Sequence, residues 1–423
     1  MAPEKPLPWS LSARWVFPVD GVPIENGLVV IQGDRIVAVE KHGAREPEQD
    51  FGDCAVLPGL VNAHTHLDLS GLRGLAPPSS DFTAWLRSVI VHRRSRTLEN
   101  VRTDIREGLA ECLRFGTTLL GDISGDGSSW DALAEAPVRA VVFRELLGLP
   151  PNRAAVAVSS AGDWLSSRHA TPTCRPGLSP HAPYSVSETL FHEVGRIASI
   201  GGCEPNTTQH IPIPIAVHLA ETKAELELLE RKSGPFVSFL NELGVWAPEE
   251  LVANSQRVMN LCDRGIPQLY VHANFLAASS RVPSRSTIVY CPRTHAAFGH
   301  RPHAFRDFLS LGVRVALGTD SLASNPDLDL LAEARFVHRL YPDFPGDRLL
   351  HMATLAGAEA LGWADETGSL APGKSADLVV LPISDTSSDD PYRWILQSCN
   401  ASSDRRVMFR GRWVSGEDEI SSR

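Results

Sequence analysis

The chain has 423 residues, 43 % of them hydrophobic, with 50 acidic against 40 basic side chains and a formal net charge of -10. That length suits a large barrel with an attached module, and the acidic balance argues against nucleic acid or an anionic membrane surface as the main partner, since either selects a basic face. No apolar run of about 18 residues is present to span a bilayer, the start MAPEKPLPWSLSARW lacks the apolar core of a secretory signal, and seven scattered cysteines without a CxxC pair suit free thiols in a reducing, cytoplasmic setting.

Residues 10–56 read as strands and turns: ARWVFPVD, then GLVVIQGDRIVAVE, then DCAVLPG. Alternating apolar residues around Gly33-Asp34 predict a hairpin. From about 57 to 367, short apolar runs alternate with amphipathic helical stretches. The runs are TTLLGDIS, RAVVFRELLG, IAVHLAET, LYVHANFL, TIVYCPRTH and RVALGTDSLASN; the helical stretches include RTDIREGLAECLRF, KAELELLERKSGPFVSFLNELG and DLDLLAEARFVHRL. Strand and helix alternating about eight times is the pattern of an α/β (β/α)8 barrel. Residues 368–423 return to the strand-rich style in GSLAPGKSADLVVLPI and RRVMFRGRWVSG. The expected division is therefore 1–56 and 368–423 pairing as one small β-sandwich, with 57–367 as the barrel. The acidic, Ser-rich SDTSSDD at 384–390 reads as a solvated loop, and GGCEPNTTQHIPIP at 201–214 as a polar insertion without an assigned role.

The first barrel run ends in LPGLVNAHTHLDLSGLRG, with His64 and His66 one residue apart. On a strand, residues i and i+2 share a face, so both imidazoles can enter a barrel lumen and grip one ion. Alone, an HxH is weak. The other runs add to it: one ends at His218 followed by Glu221, another at His272, a later one at Asp320. Barrel chemistry collects at the C-terminal strand ends, and imidazole with carboxylate suits zinc and similar divalent ions. Such an ion lowers the pKa of water from about 15.7 to about 7, roughly 12 kcal/mol towards hydroxide. Glu221, three residues beyond His218, can move the proton as general base and then general acid; as the first acid of a helix it could also simply favour the dipole. Asp320 can ligate through one oxygen and accept from water through the other, and His272 can orient or polarise the hydroxide.

Those motifs, with SPHAPYSVS and GSLAPGKSADLVVL, give the chain a resemblance to the amidohydrolase superfamily, in the branch of chlorohydrolases and guanine, cytosine and S-adenosylhomocysteine deaminases. The resemblance covers nearly the whole chain. It implies a metal-dependent (β/α)8 barrel with a split β-sandwich, His64, His66, His218 and Asp320 as ligands of one divalent ion (zinc first, iron as the alternative), His272 beside the water, and Glu221 as proton shuttle. Binuclear relatives carry a modified lysine at the end of the fourth strand; here CRPGLSPHAPYSV has His181 and no lysine, so a single ion is expected. The resemblance further implies attack on a ring carbon bearing an amino group or halide.

Candidate substrate contacts are His181, similar to a substrate-binding histidine of the deaminases or else a strand-end histidine bonded to backbone; Arg144, which could hold a carboxylate or ribose hydroxyl or form a structural ion pair; and Trp85, which could stack on a heterocycle or pack in the core. Arg73 reads as structural, and HRRSR at 92–96 as a charged helix face. In YCPRTHAAFGHRPH, Thr294-His295 stands where many relatives have Ser-Asn; His295, His300 and His303 could read a phosphate or carboxylate or lie on a loop. The expected function is a cytoplasmic hydrolase of non-peptide C–N bonds that deaminates an aminated N-heterocycle of purine-nucleoside type, such as aminodeoxyfutalosine or another adenosine derivative. The alternatives are a triazine or pyrimidine chlorohydrolase or deaminase, and a non-catalytic ligand-binding barrel. Expected partners are the small heterocyclic substrate and water, with neither nucleic acid nor membrane; relatives are often dimers, but no residue pattern marks an interface.

Overall fold

The computed structural model describes residues 6–41, 43, 45–203, 210–383, 390–397 and 405–415. SDTSSDD lies outside the described residues except for Asp390, as does the 204–209 part of the polar insertion. The flanks of that insertion form a two-stranded antiparallel pair, β10 (Gly202–Cys203) with β11 (His210–Ile211).

Both chain ends build one eight-stranded mixed sheet. The N-terminal strands are β1 (Trp9–Val16), β2 (Ile24–Gln32), β3 (Arg35–Lys41), β4 (Gln49–Asp50) and β5 (Cys54–Pro58); the C-terminal ones are β16 (Leu378–Pro382), β17 (Arg406–Phe409) and β18 (Arg412–Ser415). Their order is β18-β17-β16-β5-β1-β2-β3, with β4 on β1. The two ends meet where β5 runs antiparallel to β16, with Leu57 opposite Val379. The expected β2–β3 hairpin forms at Gly33, whose φ of 62° suits a glycine. Alternate residues Leu11, Val29, Ile31, Val56, Leu378, Val380 and Met408 bury one face of this sheet.

The second sheet is the barrel. Its strands are β6 (Leu60–Thr65), β7 (Thr117–Ser124), β8 (Arg139–Leu146), β9 (Cys174–Pro180), β12 (Ile215–Leu219), β13 (Gln268–His272), β14 (Ser286–Tyr290) and β15 (Arg314–Leu317), ordered β15-β14-β13-β12-β9-β8-β7-β6. A parallel bridge from Thr65 to Asp320 joins first strand to last. Every residue of β6, β7, β12, β13 and β14 is buried, as strands covered on both faces must be.

Two compact units result: the chain ends up to Ala63 and from Leu328 onward with Leu109–Leu120, and His64–Gly108 with Gly121–Asp327. Residues 328–367 thus group with the chain ends, whereas the sequence division places them in the barrel. The long stretch from Lys223 to Gly244 is two helices, Lys223–Arg231 and Pro235–Glu242. Lys232 (φ 54°) and Gly234 (φ 92°) turn left-handed, and Pro235 takes the first turn of the second helix, where its missing N–H costs nothing. Among the described residues no helix is long and apolar enough to cross a membrane. Cys54, Cys112, Cys174, Cys262 and Cys291 are free thiols.

Candidate active site

Four strand ends deliver the site. The peptide N–H groups of Thr319 and Asp320 both donate to the His64 carbonyl, each at 3.1 Å. This seam brings the residues after β15 against the end of β6. Gly318 makes the approach possible: a Cβ there would lie 2.9 Å from His64 Cβ and 3.1 Å from its nitrogen. Asp320 (φ 59°), Ala220 (φ 51°) and His272 (φ 67°) all adopt left-handed backbone, a strain that concentrates at functional sites.

The strand ends converge. His66 Nε2 lies 3.2 Å from His218 Nε2. Asp320 Oδ1 lies 3.4 Å from His64 Nε2 and 3.8 Å from His66 Nε2. Two overlapping trios, His64/His66/His218 and His64/His272/Asp320, each keep their donor atoms within 4.8 Å of one another. Donors about 2.1 Å from one tetrahedral ion would stand about 3.4 Å apart, so the donor set fits a single divalent ion. Glu221 Oε1 is 3.4 Å from His272 Nε2. All six side chains belong to residues exposed by 6 % or less.

Neighbouring groups orient these donors. His218 Nδ1–H donates to the His181 carbonyl at 3.0 Å, which leaves the Nε2 lone pair facing His66. Ser324 Oγ–H donates to Asp320 Oδ2 at 2.6 Å. The second Asp320 oxygen is therefore engaged by protein, and Oδ1 is the one that faces the imidazoles. His303 Nε2–H donates to the His272 carbonyl at 2.8 Å. Asp122 accepts the Leu67 N–H at 2.9 Å and the Ser129 hydroxyl at 2.5 Å, fixing the chain just beyond His66.

Burial, reinforced by mutual repulsion among the imidazoles, brings His66 and His272 down to about 3 and His218 well below its usual value. They are neutral donors at working pH. Burial would raise Asp320, but the His64 hydrogen bond and the neighbouring imidazoles bring it below the usual range. Burial, with Asp320 and Glu225 nearby, holds Glu221 well above the usual carboxylate range.

The site opens into a cavity of about 370 Å³, within the range that takes a drug-sized ligand. The helix Phe82–Ser95 forms one wall, with Asp81 capping its first turn. Phe82, Trp85, Leu86, Val89, Ile90 and Arg93 face the cavity at i, i+3, i+4, i+7, i+8 and i+11, one stripe of an amphipathic helix. Trp85 also packs on the Leu69, Leu72, Ala76, Val89 and Ala323 cluster and donates its indole N–H to the Ala76 carbonyl.

His181 lines the cavity; Arg144 and His295 do not. Arg144 donates instead to the Gly125 carbonyl and Ser160 Oγ. Strand alternation is the reason: on β8 the neighbour Glu145 faces the lumen, so Arg144 faces away. His295 contacts Asn274 Oδ1 at 2.9 Å and the Arg301 carbonyl at 2.7 Å, and acts behind the site. Arg73 donates to the Pro326 carbonyl.

Three charged residues escaped the sequence reading. Arg93, inside HRRSR, donates to Glu145 at 2.7 Å and to Asp68 at 3.3 Å. Burial would raise Glu145, but Arg93, then His181 and His66, bring it to about 2. Burial outweighs Arg93 at Asp68, whose carboxyl is raised. The available signal was parity: residue 145, not 144, shares a face with the lumen.

A family model described as "Amidohydrolase family" matches residues 55–414, and the chain belongs to that family. It is 30 % identical over 426 residues to a 5-methylthioadenosine/S-adenosylhomocysteine deaminase from Syntrophobacter fumaroxidans, covering 93 % of this chain and 89 % of the relative. Helicobacter pylori aminofutalosine deaminase in complex with methylthio-coformycin superposes with a TM-score of 0.81 at 24 % identity, over 96 % of this chain and 100 % of the other. An adenosine deaminase from Xanthomonas campestris with bound zinc gives a TM-score of 0.76 at 24 % identity, over 97 % and 93 %. The family and the site together define a hydrolytic enzyme.

Proposed function

We propose that this chain is a hydrolytic deaminase acting on the exocyclic amino group of a nucleoside-like heterocycle, with one divalent ion, zinc first, held by His64, His66, His218 and Asp320. The carrying observation is the convergence of three imidazoles and one carboxylate, beside Glu221, at the base of a largely apolar cavity. The deaminase relative and the zinc-bound neighbour are consistent with it.

When bound, the ion supplies the Lewis acidity that makes water a nucleophile at neutral pH. The net change replaces C–NH2 by C=O, consuming one water and releasing one ammonia. Glu221 Oε1 is placed to accept a proton from water and return it to the leaving nitrogen. His272 Nε2, 3.4 Å from Glu221 Oε1, orients the same region.

His181 reads the substrate from the cavity wall. Ser185 Oγ, 2.7 Å from His181 Nδ1, orients the ring, and His181 Nε2, 3.9 Å from Glu145 Oε1, is the atom left for the substrate. The walls of Trp85, Leu86, Phe239 and Leu240 exclude water from the reacting carbon.

Metal content measured together with ammonia release tests the reading. A panel of adenosine derivatives, aminopurines, pterins and triazines serves as substrates. The expected result is about one ion per chain, ammonia from a 6-aminopurine nucleoside, and Glu221→Gln retaining the ion while losing about 10²–10⁴-fold in kcat. An inert protein, or unchanged turnover in Glu221→Gln, would overturn it.

A further inference from the structure

The segment carrying Glu221 is held more tightly than a helix start requires. Thr222 caps the helix Lys223–Arg231 by accepting the Glu225 N–H at 3.1 Å. Thr222-x-x-Glu225 is a capping-box sequence, in which the glutamate ordinarily reaches back to the N–H of the capping residue. Here it reaches further. Glu225 Oε1 accepts the Ala220 N–H at 2.8 Å, and Oε2 accepts the Glu221 N–H at 3.0 Å. The glutamate is fully buried, and Ala220 is left-handed at φ 51°, a conformation an alanine keeps only under outside constraint.

The other side of Glu221 is also gripped. Asn274 Nδ2–H donates to the Glu221 carbonyl at 3.2 Å. Asn274 is in turn held by His295, and His295 by the Arg301 carbonyl. The Ala220 carbonyl accepts the Phe275 N–H at 2.9 Å. Glu221 is thus fixed at both its N–H and its C=O, by two separate segments, with its side chain ending beside His272.

We propose that Glu225 is a positioning residue for proton transfer: it clamps the Ala220–Glu221 backbone so that the Glu221 carboxyl points into the site, with Asn274 and His295 as the opposing jaw. The inference rests on Glu221 being the proton carrier. It gives His295 a purpose that a substrate contact does not. It also explains why a carboxylate stands at 225: two consecutive N–H groups need two acceptor oxygens, and glutamine has one.

The test uses the full chain loaded with its metal. Glu225→Gln, nearly isosteric, and Asn274→Ala, on the opposite jaw, are compared with wild type. A misplacement of about 1 Å costs up to about 100-fold in rate. Each variant is expected to lose about 10- to 100-fold in kcat, with KM within about threefold and metal content unchanged. Adding Glu225→Gln to Glu221→Gln is expected to cost nothing further, because the clamp acts only through Glu221. An unchanged kcat in Glu225→Gln, an effect on KM alone, or an equal loss in both backgrounds overturns the proposal. If wild type releases no ammonia from any nucleoside, the proton-carrier reading fails by itself. The crystal structure of Glu225→Gln then decides the clamp: a Glu221 carboxyl that moves from His272 supports it, and one that stays overturns it.

Discussion

His66 and His218, 152 positions apart in the chain, bring their Nε2 atoms to 3.2 Å with rings stacked at 16°. Protonated, two imidazoles at this distance would repel each other. Neutral, they place two lone pairs where one cation can take both. Their stacking follows from parallel strands that aim both rings into one lumen, and it makes the site a property of the barrel as a whole.

Arg93 pairs with both Glu145 and Asp68. Arg93→Met leaves two buried carboxylates without it, and breaking a buried pair costs about 3–5 kcal/mol; with Arg93 partly exposed, a loss near 3 kcal/mol is expected. Glu145 sits at about 2 in the wild type. Its stabilising contribution is therefore present above its unfolded pKa near 4.5 and lost as pH falls towards 2. The stability gap between wild type and variant, measured by urea unfolding, should be level from pH 7 to about pH 4.5 and narrow as pH falls from there towards 2.

Asp122 has the opposite sign. Burial raises its carboxyl from 3.8 to about 7. The folded state holds a proton that the unfolded chain releases, so stability is full below pH 3.8 and declines as pH rises to 7. Asp122→Asn removes this dependence. Relative to wild type, the variant should gain stability across that window, by up to about 4 kcal/mol at about 1.36 kcal/mol per unit. Parallel pH–stability curves would contradict the assignment.

Arg144 and Trp85 separate by position. Arg144→Ala, outside the cavity, should leave KM for the substrate within about twofold. Trp85→Ala, which opens the wall, should raise KM by up to about tenfold, consistent with losing about 0.5–1.5 kcal/mol of aromatic contact. Steady-state kinetics on both variants checks the pair.

Gly318→Ala probes the seam. The added methyl meets His64 Cβ at 2.9 Å and Val289 Cγ1 at 3.0 Å, neither at the tip of a long flexible side chain. Overpacking of this kind costs about 1–3 kcal/mol. Lower thermal stability together with reduced metal per chain is expected; metal content equal to wild type would separate the seam from the ion site.

Much of this was legible because strand parity is short-range. His64 and His66 could be paired from two positions, and His218, His272 and Asp320 from where their apolar runs end. The same rule, applied one residue off on RAVVFRELLG, chose Arg144 over Glu145. HRRSR gave no sign that Arg93 turns towards Glu145 and Asp68, since helix facing depends on what the helix packs against. KAELELLERKSGPFVSFLNELG reads as one amphipathic run until Ser233-Gly234-Pro235 is weighted as a stop. The link from His295 through Asn274 to Glu221 joins residues 53 and 21 apart, and no local pattern encodes it.

Anomalous diffraction at the zinc edge, on crystals of the full chain supplied with zinc, tests the central claim most directly. A single peak about 2.0–2.2 Å from His64 Nε2, His66 Nε2, His218 Nε2 and Asp320 Oδ1, lost in Asp320→Ala, is the expected result. A peak elsewhere, or none at full zinc occupancy of the protein in solution, would contradict it.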